Sequence, residues 1–176
     1  MDTTLVFSDL HGNLAALQKL LERPGRFVFL GDAVGGAHDQ ACLELLRSAG
    51  VACLKGNHEV ASSELPDWAR RWPSSFVSGD VLFCHTWLGP GPKLDFFRLH
   101  SPADALEMFT LADFRLAFVG HMHRPGWWEL TSDLPRWVSA PSLACQPQHR
   151  YIVDVGSLDQ GSYAVWTGDQ VRFERL

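Results

Sequence analysis

Three short runs, Leu5-Val6-Phe7, Phe27-Val28-Phe29-Leu30 and Val51-Ala52-Cys53-Leu54, are apolar at every position. A strand of this kind must be covered on both faces, which is the mark of parallel strands packed under crossover helices. The segments between the runs supply those helices. Asn13 is placed as an N-cap ahead of Leu14, Leu17, Leu20 and Leu21, which share one helical face, and Pro24-Gly25 ends the helix. A second amphipathic stretch carries Leu43, Leu45 and Leu46. The first half of the chain therefore reads as βαβαβ with a parallel sheet.

A helix is predicted from about Val60 to Arg71, then a hairpin of Phe76-Val77-Ser78 and Val81-Leu82-Phe83-Cys84 turning at Gly79-Asp80. Pro102 fits the first position of a helix ending near Ala112, and Leu116-Ala117-Phe118-Val119 is a further buried strand. Short strands are expected over Gly126–Leu130, Arg136–Ser139, Tyr151–Val155, Ser162–Thr167 and Val171–Glu174. Neither a repeat nor a linker divides the chain, so residues 1–176 are read as one α/β domain, large enough to bury a core. The start lacks a basic region and a long apolar stretch, so no signal peptide or membrane span is expected. The four cysteines show no paired spacing and fall in or beside apolar runs. They are expected to be buried reduced thiols in a cytoplasmic protein. A formal net charge of −5 excludes a general pull toward nucleic acid or an anionic membrane.

In open α/β sheets, functional groups collect in loops beyond the carboxyl ends of the strands. Here those loops hold the polar clusters: Asp9-Leu10-His11, Gly31-Asp32, Gly56-Asn57-His58-Glu59, His85, and Gly120-His121-Met122-His123. Five of the eight histidines lie in them, and Asn57 is one of only two asparagines. Carboxylates and imidazoles packed together are costly unless cations neutralise them. A mixed oxygen and nitrogen set with one shareable carboxylate suits a pair of divalent ions bridging a displacement at phosphorus.

The ordered set D-x-H, G-D, G-N-H-E, H and G-H-x-H, running from Asp9 to His123, resembles the calcineurin-like metallophosphoesterase superfamily. Ser8-Asp9-Leu10-His11-Gly12-Asn13, Gly31-Asp32-Ala33-Val34-Gly35 and Val155-Gly156-Ser157 resemble its small prokaryotic phosphodiesterase branch. The resemblance implies two β-sheets packed face to face with helices outside, a four-layer αββα sandwich without a large cap. It implies one metal at Asp9, His11, Asp32 and His123 and a second at Asp32, Asn57, His85 and His121, with manganese favoured over iron, zinc, nickel or cobalt. A hydroxide between the ions is the implied nucleophile. His58 is implied to protonate or stabilise the leaving oxygen, and Glu59 is expected to orient His58 as a carboxylate–imidazole pair. Gly56 and Gly120 let the backbone turn close to the ions.

The implied activity is hydrolysis of phosphodiesters or small phosphomonoesters, nucleotide-type substrates and dinucleoside polyphosphates among them. Protein phosphatases and symmetrical diadenosine tetraphosphate hydrolases continue the G-D motif with an arginine-glycine that grips phosphate, whereas this loop reads Gly31-Asp32-Ala33-Val34-Gly35-Gly36. That lowers the case for a protein Ser/Thr phosphatase. The competing class is an interaction scaffold on the same fold, as in a relative found in the retromer complex; the filled ligand positions disfavour it here. A thermolysin-like zinc helix is excluded, since no histidine follows His58-Glu59 at the needed spacing, and nucleophile-elbow and phosphate-loop motifs are missing. Two substrate contacts are singled out: Arg124, directly after the last motif, and Trp87, expected at the mouth of the site. Leu88-Gly89-Pro90-Gly91-Pro92 is read as a loop rimming that mouth. The other tryptophans are assigned to core packing, and His38, His100 and His149 to surface or loop positions.

Overall fold

The computed structural model describes residues 3–87, 89, 99–131 and 133–176. Most of the expected loop at Leu88–Pro92 lies outside the described residues. The first run becomes β1 (Thr4–Phe7), and its polar successor leads into α1 (Leu14–Leu21). Asn13 caps α1 as expected: its Oδ1 accepts the Ala16 N–H at 3.1 Å. β2 (Arg26–Phe29), α2 (Asp39–Ser48) and β3 (Ala52–Cys53) follow. β1–β2 and β2–β3 pair in parallel, completing the βαβαβ unit.

The single helix expected over residues 60–71 is instead two short ones, α3 (Asn57–Ala61) and α4 (Asp67–Arg70). Ser62 is already extended, with φ −77° and ψ 129°, and Pro66 precedes α4. Proline lacks an N–H to continue the helical ladder and pushes the residue before it out of helical backbone. β4 (Ser75–Ser78) and β5 (Val81–Cys84) form the predicted hairpin. α5 (Pro102–Leu111) starts with proline inside a reciprocal cap, in which Ser101 Oγ accepts from Asp104 N and Asp104 Oδ2 accepts from Ser101 N.

The remaining strands are β6 (Leu116–Val119), β7 (Gly126–Leu130), β8 (Arg136–Val138), β9 (Ser142–Ala144), β10 (Arg150–Asp154), β11 (Ser162–Trp166) and β12 (Gln170–Arg175). β9 is not foreseen in the sequence; three residues with one buried apolar side chain, Leu143, give no periodic signal. The strands form two mixed six-stranded sheets, ordered β3-β2-β1-β11-β12-β9 and β4-β5-β6-β10-β7-β8. The β-rich tail thus completes both sheets, and β11 runs antiparallel to β1.

Three apolar groups separate four layers. One lies between α1, α2 and the first sheet, with Leu17, Leu20, Leu43 and Leu46 against Phe7 and Phe29. The second lies between the sheets and includes Val6, Phe83, Phe118, Tyr151 and Val153. The third packs Ala105, Met108 and Phe109 of α5 on the second sheet. Most tryptophans serve this core: Trp127 stacks on Phe173, and Trp128 meets Trp137 edge-on. The cysteines are free thiols, and burial pushes Cys53 and Cys84 up to about 12. Among the described residues, no helix is long and apolar enough to cross a membrane. β1 runs parallel to β2, and β5 and β10 run parallel to β6, so their carboxyl ends gather the polar loops at one edge of the sandwich.

Candidate metal centre

Only five described non-glycine residues have positive φ: Asp9 (55°), His11 (45°), Asp32 (63°), His121 (69°) and His123 (55°). All five are among the metal ligands implied by the sequence. Left-handed backbone is uncommon for residues with a side chain, costs on the order of 1–3 kcal/mol each, and persists where its surroundings fix it. Those surroundings are a lattice of loop-to-loop bonds. Asp9 N donates to Gly31 O, Leu10 N and His11 N donate to Asp32 O, and Gly12 N donates to Ala33 O. From the carboxyl end of β10, Ser157 Oγ donates to Asp9 O at 3.0 Å, and Asp159 N donates to the same oxygen at 3.1 Å.

The side chains converge as three triads: Asp9–His11–His123, His11–Asp32–His58 and Asp32–His85–His121. Within each, the candidate ligand atoms lie within 4.8 Å of one another. The first and third triads each contain three of the four residues implied for one metal. Asn57 joins the third, its Oδ1 lying 3.1 Å from His85 Nε2. Asp32 Oδ2 is 3.3 Å from His85 Nε2 and 4.0 Å from His58 Nε2, while its Oδ1 accepts the His58 N–H at 2.8 Å. Asp9 Oδ2 accepts the His121 N–H at 2.9 Å.

Asp9 Oδ1 is the clearest test of whether this cradle fits cations. It is fully buried and makes no hydrogen bond; His123 Nε2 stands 3.1 Å away without the needed alignment. A buried carboxylate oxygen in this position is costly unless positive charge faces it, whether a protonated His123 at 3.1 Å or a metal ion. Charge follows the same logic. Burial alone would raise the Asp9 carboxyl, but the approach of His123 and the charges of His85 and His123 hold it below its ordinary value. Burial likewise opposes the shift at Asp32, yet contact with His85 keeps it low. His85 is raised in return: burial disfavours its charged form, and Asp32 and Asp9 outweigh that. The buried carboxylates draw positive charge into the cluster, and hard oxygen with imidazole nitrogen suits divalent ions. A side chain at Gly120 would strike Ser8 and Asp9, and one at Gly56 would strike Asp32, so both glycines are needed for close approach.

One expectation needs correction. Glu59 does not pair with His58. Its carboxylate, 3% exposed, accepts the N–H groups of Asp32 (2.7 Å), Ala33 (2.7 Å), Val34 (3.2 Å) and Gly56 (2.7 Å). It pins the Gly31–Val34 loop to α3 and works as an anchor rather than an orienting base. Trp87 packs beside Leu82 and Cys84 against the third apolar group. Arg124 lays its guanidinium over Trp137, 4.7 Å from the ring centre. His38 is exposed at the start of α2 and makes no side-chain cap bond.

Two contributors were not singled out beforehand. Ser8 Oγ lies 3.4 Å from His85 Nδ1 and 3.3 Å from Gly31 O, so it braces the ring nitrogen facing away from the cluster. Ser157 holds the strained Asp9 carbonyl. Their signals were adjacency to Asp9 and the Val155-Gly156-Ser157 motif.

The profile of the calcineurin-like phosphoesterases matches residues 3–125, which spans all five loops. The chain belongs to the calcineurin-like phosphoesterase family. Among solved structures, a metallophosphoesterase of Sphaerobacter thermophilus is 27% identical. That match covers 99% of this chain and 88% of the other, with a TM-score of 0.81. Vps29 of Entamoeba histolytica, solved in complex with zinc, is 15% identical over 99% of this chain and 98% of the other, with a TM-score of 0.57. At that identity the likeness concerns the fold alone. No curated protein matches the chain. Family membership thus agrees with a site built of paired histidines and shared carboxylates.

Proposed function

We propose that this calcineurin-like phosphoesterase is an active dinuclear-metal hydrolase of phosphodiesters or small phosphomonoesters, with manganese as the favoured ion. The observation that carries the reading is the concentration of all five left-handed non-glycine residues among the described residues in the ligand set, with Asp32 shared between the His11–Asp32–His58 and Asp32–His85–His121 triads. Bound between these triads, a pair of divalent ions supplies Lewis-acid charge and lowers the pKa of nearby water. Asp9, His11, Asp32 and His123 would hold one ion; Asp32, Asn57, His85 and His121 would hold the other. The protein's own part is pre-organisation: the loop lattice fixes these atoms before substrate arrives, so little rearrangement accompanies the reaction.

His58 has a different task. Its side chain is 42% exposed, it projects beside Asp32 at the rim, and its backbone N–H fixes the Asp32 Oδ1 atom. A rim imidazole within reach of a leaving oxygen can deliver a proton to it. The Asp32 loop holds no arginine, which supports small or nucleotide-type esters, including asymmetrically cleaved dinucleoside polyphosphates, over phosphoproteins. The test is to strip the full chain with a chelator and reload it with manganese, iron, cobalt, nickel or zinc. Turnover is then measured on bis-4-nitrophenyl phosphate, 4-nitrophenyl phosphate and a dinucleoside tetraphosphate. Hydrolysis restored by metal supports the reading; no turnover with any ion overturns it.

A further inference from the structure

Asp39 is the first residue of α2, where an acidic residue ordinarily does no more than favour the helix N-terminus. Here its carboxylate reaches back into the metal loop: Oδ2 accepts the Gly35 N–H at 2.9 Å and Oδ1 accepts the Gly36 N–H at 2.9 Å. Both glycines press on site residues. A Cβ at Gly35 would lie 2.6 Å from His58 Nδ1 and 3.5 Å from His11 Nδ1. One at Gly36 would overlap the His11 carbonyl, and one at Gly12 would lie 2.6 Å from Asp39 Oδ1. The His58 ring stands edge-on to His11, with centroids 4.8 Å apart. Its wall is therefore the bare Gly35 backbone on one side and the His11 ring on another. Among the described residues no side-chain hydrogen bond fixes the ring, so the position of that wall sets where it rests.

We propose that Asp39 is a positioning residue for His58, acting through the Gly35 and Gly36 amides. The proposal rests on the proton-donating role assigned to His58 above. Releasing the two amides lets the Gly35–Gly36 segment shift, and displacement of a reacting group by about 1 Å costs up to roughly 100-fold in rate. The loss must appear where the leaving group needs a proton. Diphenyl phosphate, with a basic leaving oxygen, is the sensitive substrate; bis-4-nitrophenyl phosphate is the insensitive one.

The test compares wild type, Asp39→Ala, Asp39→Asn, His58→Ala and the Asp39→Ala/His58→Ala pair, as manganese-loaded full-length chains. Asp39→Ala should lower kcat on diphenyl phosphate roughly tenfold, leave KM in place, and change bis-4-nitrophenyl phosphate turnover less than about twofold. Asp39→Asn, which keeps one acceptor oxygen, should fall between; it also serves if the alanine variant fails to fold. The two substitutions should not add, because they act on one proton transfer. In the metal-free protein, Asp39→Ala should move the imidazole 1H–15N signals of His58 while those of His149, remote from the site, stay. Equal slowing of both substrates, full additivity, or an unmoved His58 signal overturns the proposal. If His58→Ala itself turns over both substrates at the wild-type rate, the role assigned to His58 falls, and the imidazole signal alone then decides whether Asp39 positions the ring.

Discussion

The two ends of the second sheet treat charge in opposite ways. At the amino ends of β6 and β10, Arg150, Arg115 and His149 each find a partner within the chain. Arg150 donates to the carbonyls of Phe114 (2.7 Å), Phe109 (2.6 Å) and Ala112 (2.7 Å). Arg115 meets Asp80 at 2.6 Å, and His149 meets Glu129 at 3.1 Å. At the carboxyl ends, His121 and His123 stand on left-handed backbone beside Asp9, whose buried Oδ1 makes no hydrogen bond. The first arrangement fixes the chain. The second strains the backbone and concentrates buried charge, and it is the end where the ions are proposed to bind.

The contrast breaks most directly at Asp32, the one carboxylate shared between triads. Asp32→Ala should lower turnover by roughly 1000-fold or more, since losing several kcal/mol of metal-derived stabilisation multiplies tenfold losses. Activity close to wild type would remove the shared-carboxylate reading. Glu59 sharpens the comparison, because it sits at the strained end yet is fully satisfied. Glu59→Ala leaves four buried amides without their acceptor. It should cost about 3 kcal/mol, seen as a fall in Tm of about 10 °C. An unchanged Tm would mean the anchor is dispensable. Arg150→Met, at the other end, should cost about 2 kcal/mol and lower Tm by about 5 °C while kcat stays at the wild-type value. A loss of kcat there would blur the division between the ends.

The smallest effect concerns Asp154, at the end of β10 behind the metal loops. Burial pushes its carboxyl well above 3.8, and the charge of Asp9 adds to the rise, against an opposing bond from Gly156 N at 2.8 Å. A carboxyl raised in the folded state contributes fully only below its unfolded pKa, and that contribution is lost as pH rises through the folded value. Wild type should therefore lose stability relative to Asp154→Asn as pH rises above the ordinary carboxylate range. Urea unfolding of both proteins across that rise in pH checks it; a gap that does not change with pH would count against it.

Much of this was legible in the residues because each ligand sits where an apolar run stops. Leu5–Phe7, Phe27–Leu30 and Leu116–Val119 announce their strands, and Asp9, Asp32 and His121 follow almost at once. The misreadings have physical causes. Glu59 was paired with His58 by adjacency, but successive residues on a helix point about 100° apart. One side chain of α3 therefore turns into the Gly31 loop while the other faces the rim. Pro66 split a helix that apolar periodicity alone would have carried through. The strain at Asp9 and its neighbours has no sequence signature, since the five residues concerned are not glycines and only the loop lattice imposes their backbone.

The central claim, that five loops hold two ions, is tested most directly by counting metal. The full chain is stripped with a chelator, reloaded with excess manganese, freed of unbound ion, and measured by elemental analysis per chain. Two equivalents in the wild type, with Asp32→Ala holding fewer, is the predicted result. A wild-type chain that retains no stoichiometric metal would contradict the account.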